Sequence, residues 1–193
     1  DALRVGVAIL KKLVIYNEGR KRAGYEPIQI GMGMNTGSLI LGTIGGADRM
    51  DSTVISDSVN LASRLEGMSK MYGLDFLITE FTYSKLNNPH SYSVRIIDRV
   101  AVKGKQKAVT VYEVYDGDSL KSQNLKNKTK KSFEMGIRLY QLQGFDDALE
   151  QFEKCYQVNP EDPAIKIYLE RCKRHIKEGP MPNWDGVTRL EYK

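Results

Sequence analysis

The sequence predicts an α+β domain, a layered sheet with helices, followed by a small all-α region. Three observations carry this expectation. Strand-like and helix-like segments mix through the first 116 residues without strict βα alternation, which suggests an α+β layered domain. At Asp116 the texture changes: "DGDSLKSQNLKNKTKK" is polar, lysine-rich and nearly devoid of large apolar groups. Beyond it, helical patterns dominate.

Each element has its own reason. Residues 2–22 read as a helix because Leu3, Val7, Leu10 and Val14 recur at three- and four-residue steps; "AGYEP" breaks it. "IQIGMGMNTGSLILGTIGG" predicts two strands around an Asn-Thr-Gly turn, the second ended by Gly45 and Gly46. "DSTVI" is a third short strand. Ser56 or Asp57 can cap a helix from about Ser58 to Met71, with Val59, Ala62, Leu65 and Met68 as its apolar stripe. "DFLIT" follows as a strand and "EFTYSKL" as a short helix. "YSVRIIDRVAVK" and "VTVYEVYDG" alternate as a closing hairpin across the polar turn "GKQK".

Residues 117–131 read as a linker or the exposed start of a helix. In 132–178, Gly136, Ala148, Phe152, Cys155 and Pro160 fall at the spacing of a tetratricopeptide helix pair turned by "QGFDDA". Asp162 and Pro163 then start a third helix through about Ile176. One such repeat cannot bury its own face. It is expected to pack on the third helix, on the first domain or on another copy. Residues 179–193 form an extended tail in which Trp184 is expected to anchor against the body.

Composition bounds the function. Over 193 residues, 41% are hydrophobic and 27% charged, enough for a core and against wholesale disorder. The net charge of +5 suits a polyanionic small ligand or weak nucleic-acid contact. No apolar run is long enough to span a bilayer and no signal peptide is present, so a cytoplasmic location is expected. Cys155 and Cys172 form no C-x-x-C motif and read as reduced thiols. His90 and His175 without H-E-x-x-H do not suggest a histidine-rich metal site.

The glycines of "GMGMNTG" lack the G-K-[ST] of a P-loop and do not open a helix, so they read as hairpin and close-packing glycines. The stretch "STVISDSVNLASRLEG" is different. Asn60 and Arg64 are four apart and share one face of the predicted helix. Their bland reading is a solvated face. Yet Asn60 interrupts the apolar run "VNLA", where no solubilising residue is required. Lys103, in the basic turn "VKGKQK", could aim an ammonium at phosphates, though lone lysine turns are usually solvated.

"IGMGMNTGSLILGTIGGADRMDSTVISDSVNLASRLEG", with "FLITEFTYSKL" and "RVAVKGKQKAVTVYEVYD", resembles the C-terminal part of the class III nucleotidyl cyclase catalytic domain, over about residues 2–116. The resemblance implies a ferredoxin-like layered fold and conversion of ATP to 3′,5′-cyclic AMP and pyrophosphate. It implies that Asn60 orients the ribose, Arg64 stabilises the triphosphate in the transition state, Lys103 reaches the terminal phosphates and Thr53 reads the purine, as in a Thr-bearing bacterial adenylyl subclass. Asp57 matches an acidic residue expected to cap rather than catalyse, and Ser56 replaces the family's usual glycine. The family's two metal-binding aspartates, which hold Mg²⁺ or Mn²⁺, and its purine-reading lysine match positions upstream of Asp1; Asp1, Asp48 and Asp51 do not match them. The chain is thus expected to be a cyclase fragment, inactive alone, whose parent works as a head-to-tail homodimer. The helical region and "WDGV" tail resemble an extension of some bacterial members, with room for a protein partner. A degenerate nucleotide-binding or interaction module is the alternative. No nucleic acid is expected.

Overall fold

The structure is a computed structural model that describes residues 2–46, 49–102, 108–179 and 182–190, with backbone only at 41, 43–46, 49–55, 102 and 190. Helix α1 (Ala2–Arg22) leads into strand β1 (Met32–Met34). An antiparallel ribbon follows, β2 (Ile40–Gly46) with β3 (Arg49–Ile55). Then come α2 (Asp57–Tyr72), β4 (Phe76–Thr79) and α3 (Glu80–Tyr83). The hairpin β5 (Val94–Val102) and β6 (Ala108–Val114) precedes α4 (Leu120–Gln141), α5 (Phe145–Val158), α6 (Pro163–Glu178) and the short β7 (Thr188–Leu190). The main sheet has the order β1-β4-β6-β5-β7. Its β1–β4 and β5–β7 pairs are parallel and the others antiparallel.

The predicted Asn-Thr-Gly hairpin does not form. β1 runs parallel to β4, while β2 pairs with β3 instead. The physical reason lies in α2, which packs directly on β1. A Cβ built on Gly33 would lie 2.3 Å from the carbonyl oxygen of Ala62. The glycine admits a helix rather than a tight turn.

Helix α2 also corrects the predicted apolar stripe. Leu61, Leu65, Met68 and Tyr72 are buried, whereas Val59 is exposed and Ala62 half-buried. The helix rolls so that its inner face meets both the sheet and the C-terminal helices. On α1, Leu3, Val7 and Leu10 are buried as the spacing predicts, but Val14 is exposed.

Two apolar cores lie on opposite sides of the sheet. One joins α1 through Leu3, Val7 and Leu10 to Phe76, Ile78, Val94 and Val114. The other runs without a break from Leu65, Met68 and Tyr72 of α2, through Leu77, Ile97 and Val111, to Phe133, Phe152, Ile165 and Tyr168 of the C-terminal helices. Residues 120–131 are the opening turns of α4, and one of their lysines, Lys126, is buried. A Cβ on Gly136 would sit 2.8 Å from the Phe152 ring, so α4 and α5 approach closely there. Of the tail, 188–190 joins the sheet beside β5, and the Trp184 indole N–H donates to the Gln141 carbonyl at 3.3 Å.

Ionic groups cross between sheet and helices. The Arg95 guanidinium, fully buried, donates to Glu113 at 2.5 Å and to both carboxylate oxygens of Asp162, at 2.5 and 3.0 Å. Lys126 donates to Glu113 and to Asp118. Burial works against the Arg95 charge, but Glu113 and Asp162 outweigh it and raise its pKa. Asp162 also caps α6 by accepting from the Ala164 N–H at 3.1 Å. A buried cation thus fixes where α6 starts.

Candidate functional site

The N-terminus of α2 is held from three sides. Ser56, extended at φ −166°, is the cap; its hydroxyl oxygen accepts from the Ser58 N–H at 2.9 Å. The same hydroxyl donates to the Ser38 carbonyl at 2.6 Å. The Asn35 side-chain amide donates to the Ser58 carbonyl at 3.0 Å, and its oxygen accepts from the Thr79 hydroxyl at 2.7 Å. The Asn-Thr-Gly segment is therefore a strap that ties α2 to the end of β4. Sequence reasoning missed Asn35 in this role. The signal for it is a polar Asn-Thr pair at the end of a strand, which reads equally well as a turn.

On this anchored helix the two singled-out residues lie one turn apart. Asn60 is exposed, and its amide has no hydrogen-bond partner among the described residues. Arg64 is half-buried, and its Nη1 is buried without a partner. Its neighbours on the next turn are committed: Glu66 pairs with Lys70 at 2.8 Å, and the Ser69 hydroxyl donates to the Glu66 carbonyl. A desolvated guanidinium donor without an acceptor costs stability unless something outside the chain satisfies it.

The other two expected site residues are placed less fully. Thr53 lies in β3 opposite Gly42, on the ribbon that leads into the Ser56 cap, and only its backbone is described. Lys103 lies outside the described residues. Neither Asp1 nor Asp48 is described, and Asp51 is described for backbone alone. Asp57 opens α2 as its first-turn acid.

No group of three or more His, Cys, Asp or Glu side chains that could hold a metal occurs among the described residues. They do not fit a resident pair of Mg²⁺ or Mn²⁺ ions. The thiols offer no nucleophile: burial pushes Cys155 up to about 11 and Cys172 up to about 12. Beside α2 lies an apolar cavity of 550 Å³, walled by Val5, Ile9, Met32, Met34, Val59 and Phe76. It adjoins the edge of β1 that has no strand partner among the described residues. No helix of the described residues is long and apolar enough to cross a membrane.

Comparison with known proteins gives a consistent result. Residues 3–114 match the family model described as the adenylate and guanylate cyclase catalytic domain. The terminal-differentiation-specific adenylate cyclase of Dictyostelium discoideum is 38% identical over 178 residues, which is 92% of this chain and 8% of that protein. That match runs well past the family model, into α4–α6. An adenylate cyclase of Anabaena cylindrica is 42% identical over 118 residues, 58% of this chain and 24% of its own length. The crystal structure of the adenylyl cyclase CyaB from P. aeruginosa is 33% identical, covers 59% of each chain and has a TM-score of 0.42. The chain thus spans 8% and 24% of the two curated relatives.

Proposed function

The chain belongs to the adenylate and guanylate cyclase catalytic domain family, and from that premise we propose that it forms the nucleotide-contacting side of an adenylate cyclase site. The observation that carries the reading is the pair on α2, an exposed Asn60 and an Arg64 whose buried Nη1 has no acceptor. The reaction is an in-line attack of the ribose 3′-hydroxyl on the α-phosphate of ATP, releasing pyrophosphate and closing 3′,5′-cyclic AMP. Asn60 holds the ribose so that the hydroxyl faces phosphorus. The Arg64 guanidinium meets negative charge as it develops on the phosphate oxygens. Thr53 contacts the purine and Lys103 the terminal phosphates.

Aspartates that hold Mg²⁺ or Mn²⁺ come, in this reading, from outside these residues. The edge of β1 that lacks a strand partner among the described residues, with the apolar cavity beside it, is a suitable seat for the segment that carries them. The two-fold, head-to-tail pairing expected from the resemblance would give shared sites. The pair α4–α5 is read as tetratricopeptide-like, and a protein partner on it is part of the same proposal.

The test is a chimaera. The part of the Anabaena cylindrica adenylate cyclase that precedes its match to this chain is joined ahead of Ala2, and cyclic nucleotide is assayed with ATP and with GTP. The expected result is cyclic AMP from the chimaera, none from the 193-residue chain alone, and a higher kcat/KM for ATP. Turnover by the chain alone would overturn the division of the site. Preference for GTP would overturn the adenylyl assignment. A folded chimaera without turnover would favour the degenerate nucleotide-binding module.

A further inference from the structure

A second cluster of charge lies away from α2. The outer edge of β5 is divided between two neighbours: β7 pairs with Val100–Val102, while the Ile96 N–H donates to the Glu134 carboxylate of α4 at 3.0 Å. Where α4 leaves the sheet edge there is a cavity of 560 Å³. Arg99, Lys130, Lys131 and Arg138 line it, over a floor that includes Ile96 and the buried Ile137. None of its lining residues belongs to α2.

The charge around this cavity is unbalanced. Glu134 is its one carboxylate, and it is committed to the β5 backbone. Asp98, adjacent to Arg99 in sequence, uses Oδ2 for Tyr72 and Arg171 and Oδ1 for the Arg99 backbone N–H. Among the described residues the four cations therefore have no ion pair. Four like charges around one concavity raise the local potential and concentrate anions there. Two guanidinium groups add planar, bidentate donors that match phosphate oxygens. The volume is that of a small-molecule pocket, and its apolar floor can take a carbon skeleton.

We propose that this groove binds the linked phosphates of a small ligand, either a free polyphosphate or a nucleoside polyphosphate. The inference does not rest on the reading of α2. Its test is calorimetric titration of the 193-residue chain with inorganic tripolyphosphate, ATP and AMP at low salt. Saturable binding of tripolyphosphate is expected, weakening as salt rises. Two charge reversals, K131E with R138E, should weaken it by about tenfold or more, the loss expected for charge-assisted bonds. Lys154→Gln, at an exposed α5 residue outside the lining, should leave it unchanged. ATP binding that is tighter than tripolyphosphate and is weakened by K131E with R138E identifies a nucleotide as the groove's ligand, and ATP binding that is no tighter identifies the phosphate chain alone. If the double reversal fails to fold, Arg99→Gln with Lys130→Gln asks the same question without reversing charge. The proposal fails if tripolyphosphate shows no saturable binding. It fails equally if the variants bind as the wild type does, if Lys154→Gln weakens binding as much as they do, or if a single-stranded oligonucleotide binds and tripolyphosphate does not.

Discussion

The two ends of α2 live in different surroundings. At its C-terminal end Leu65, Met68 and Tyr72 are fully buried in the core shared with α4–α6. Tyr72 donates its hydroxyl to Asp98 and accepts from Arg171 Nη1 at 2.8 Å, so its polar group is satisfied in both roles. At the N-terminal end, Asn60 and Arg64 carry polar groups that no described residue satisfies. One helix thus spends its last turns on stability and carries, in its first half, polar groups left open among the described residues. The difference teaches that the C-terminal helices belong to the machinery that fixes α2 in place. Burial of Tyr72, with the Asp98 carboxylate beside it, raises the phenol pKa well above its ordinary value and keeps it a donor at neutral pH.

The comparison breaks most visibly at Arg95. Arg95→Met takes one of two donors from the buried Glu113 carboxylate and two of three from that of Asp162. The expected loss is about 3–5 kcal/mol, the cost of removing one partner from a buried ion pair. Urea denaturation followed by far-UV circular dichroism measures it. If the helices are fixed to the sheet as described, a single transition moves to lower urea. Two separate transitions in the wild type would show that α4–α6 is an independent unit.

Gly33→Ala acts on the other side of α2. The new Cβ meets the Ala62 carbonyl at 2.3 Å, and backbone cannot step aside as a side-chain tip can. A loss of about 1–3 kcal/mol is expected, as for overpacking. In the chimaera this variant should also lower kcat, because α2 is displaced along with Asn60. Unchanged activity would show that the helix position is not critical. Tyr72→Phe is milder. It removes the hydroxyl's two hydrogen bonds, to Asp98 and from Arg171, but leaves Arg171 paired with Asp98 at 3.2 Å, so a net loss of about 0.5–1.5 kcal/mol is expected. The same urea curves check it.

What the sequence revealed, and what it hid, follows from the range of each signal. The α1 span, the β5–β6 hairpin and the Asp162–Pro163 helix start rest on local periodicity and capping, and all are legible in a few residues. Asn60 and Arg64 share a helix face because four residues make about one turn. The pairing of β1 with β4 was not legible. The partners are far apart in sequence, and the glycine that permits α2 on β1 looks the same as a glycine in a turn. The roll of α2 was hidden for a similar reason. Its apolar residues allow two overlapping stripes, and the one with Leu61 and Tyr72 inside is selected by packing on β1, β4 and α6, all outside the helix itself. The buried Arg95 could not be read as core from its charge, since its two acidic partners come from β6 and the α5–α6 turn.

The smallest stability effect sharpens the comparison furthest. Arg64→Met keeps the aliphatic stem of the side chain and removes the guanidinium. In a structural residue that exchange would forfeit partners. Here Nη1 has none, so nothing favourable is lost and a desolvated donor is relieved. Folding stability is expected to stay within about 0.5 kcal/mol of wild type or to rise, as for a site held ready for function. Activity should respond in the opposite sense. A group acting on transition-state charge contributes about 2.7–4 kcal/mol, so kcat of the chimaera should fall by about 10²–10³ while KM changes little. Urea melts of the chain and steady-state cyclic AMP assays of the chimaera, run on the same variant, give both numbers. A rise in KM alone would make Arg64 a ground-state phosphate contact. A stability loss above about 1 kcal/mol with unaltered kcat would return it to the scaffold, and the two ends of α2 would no longer differ in kind.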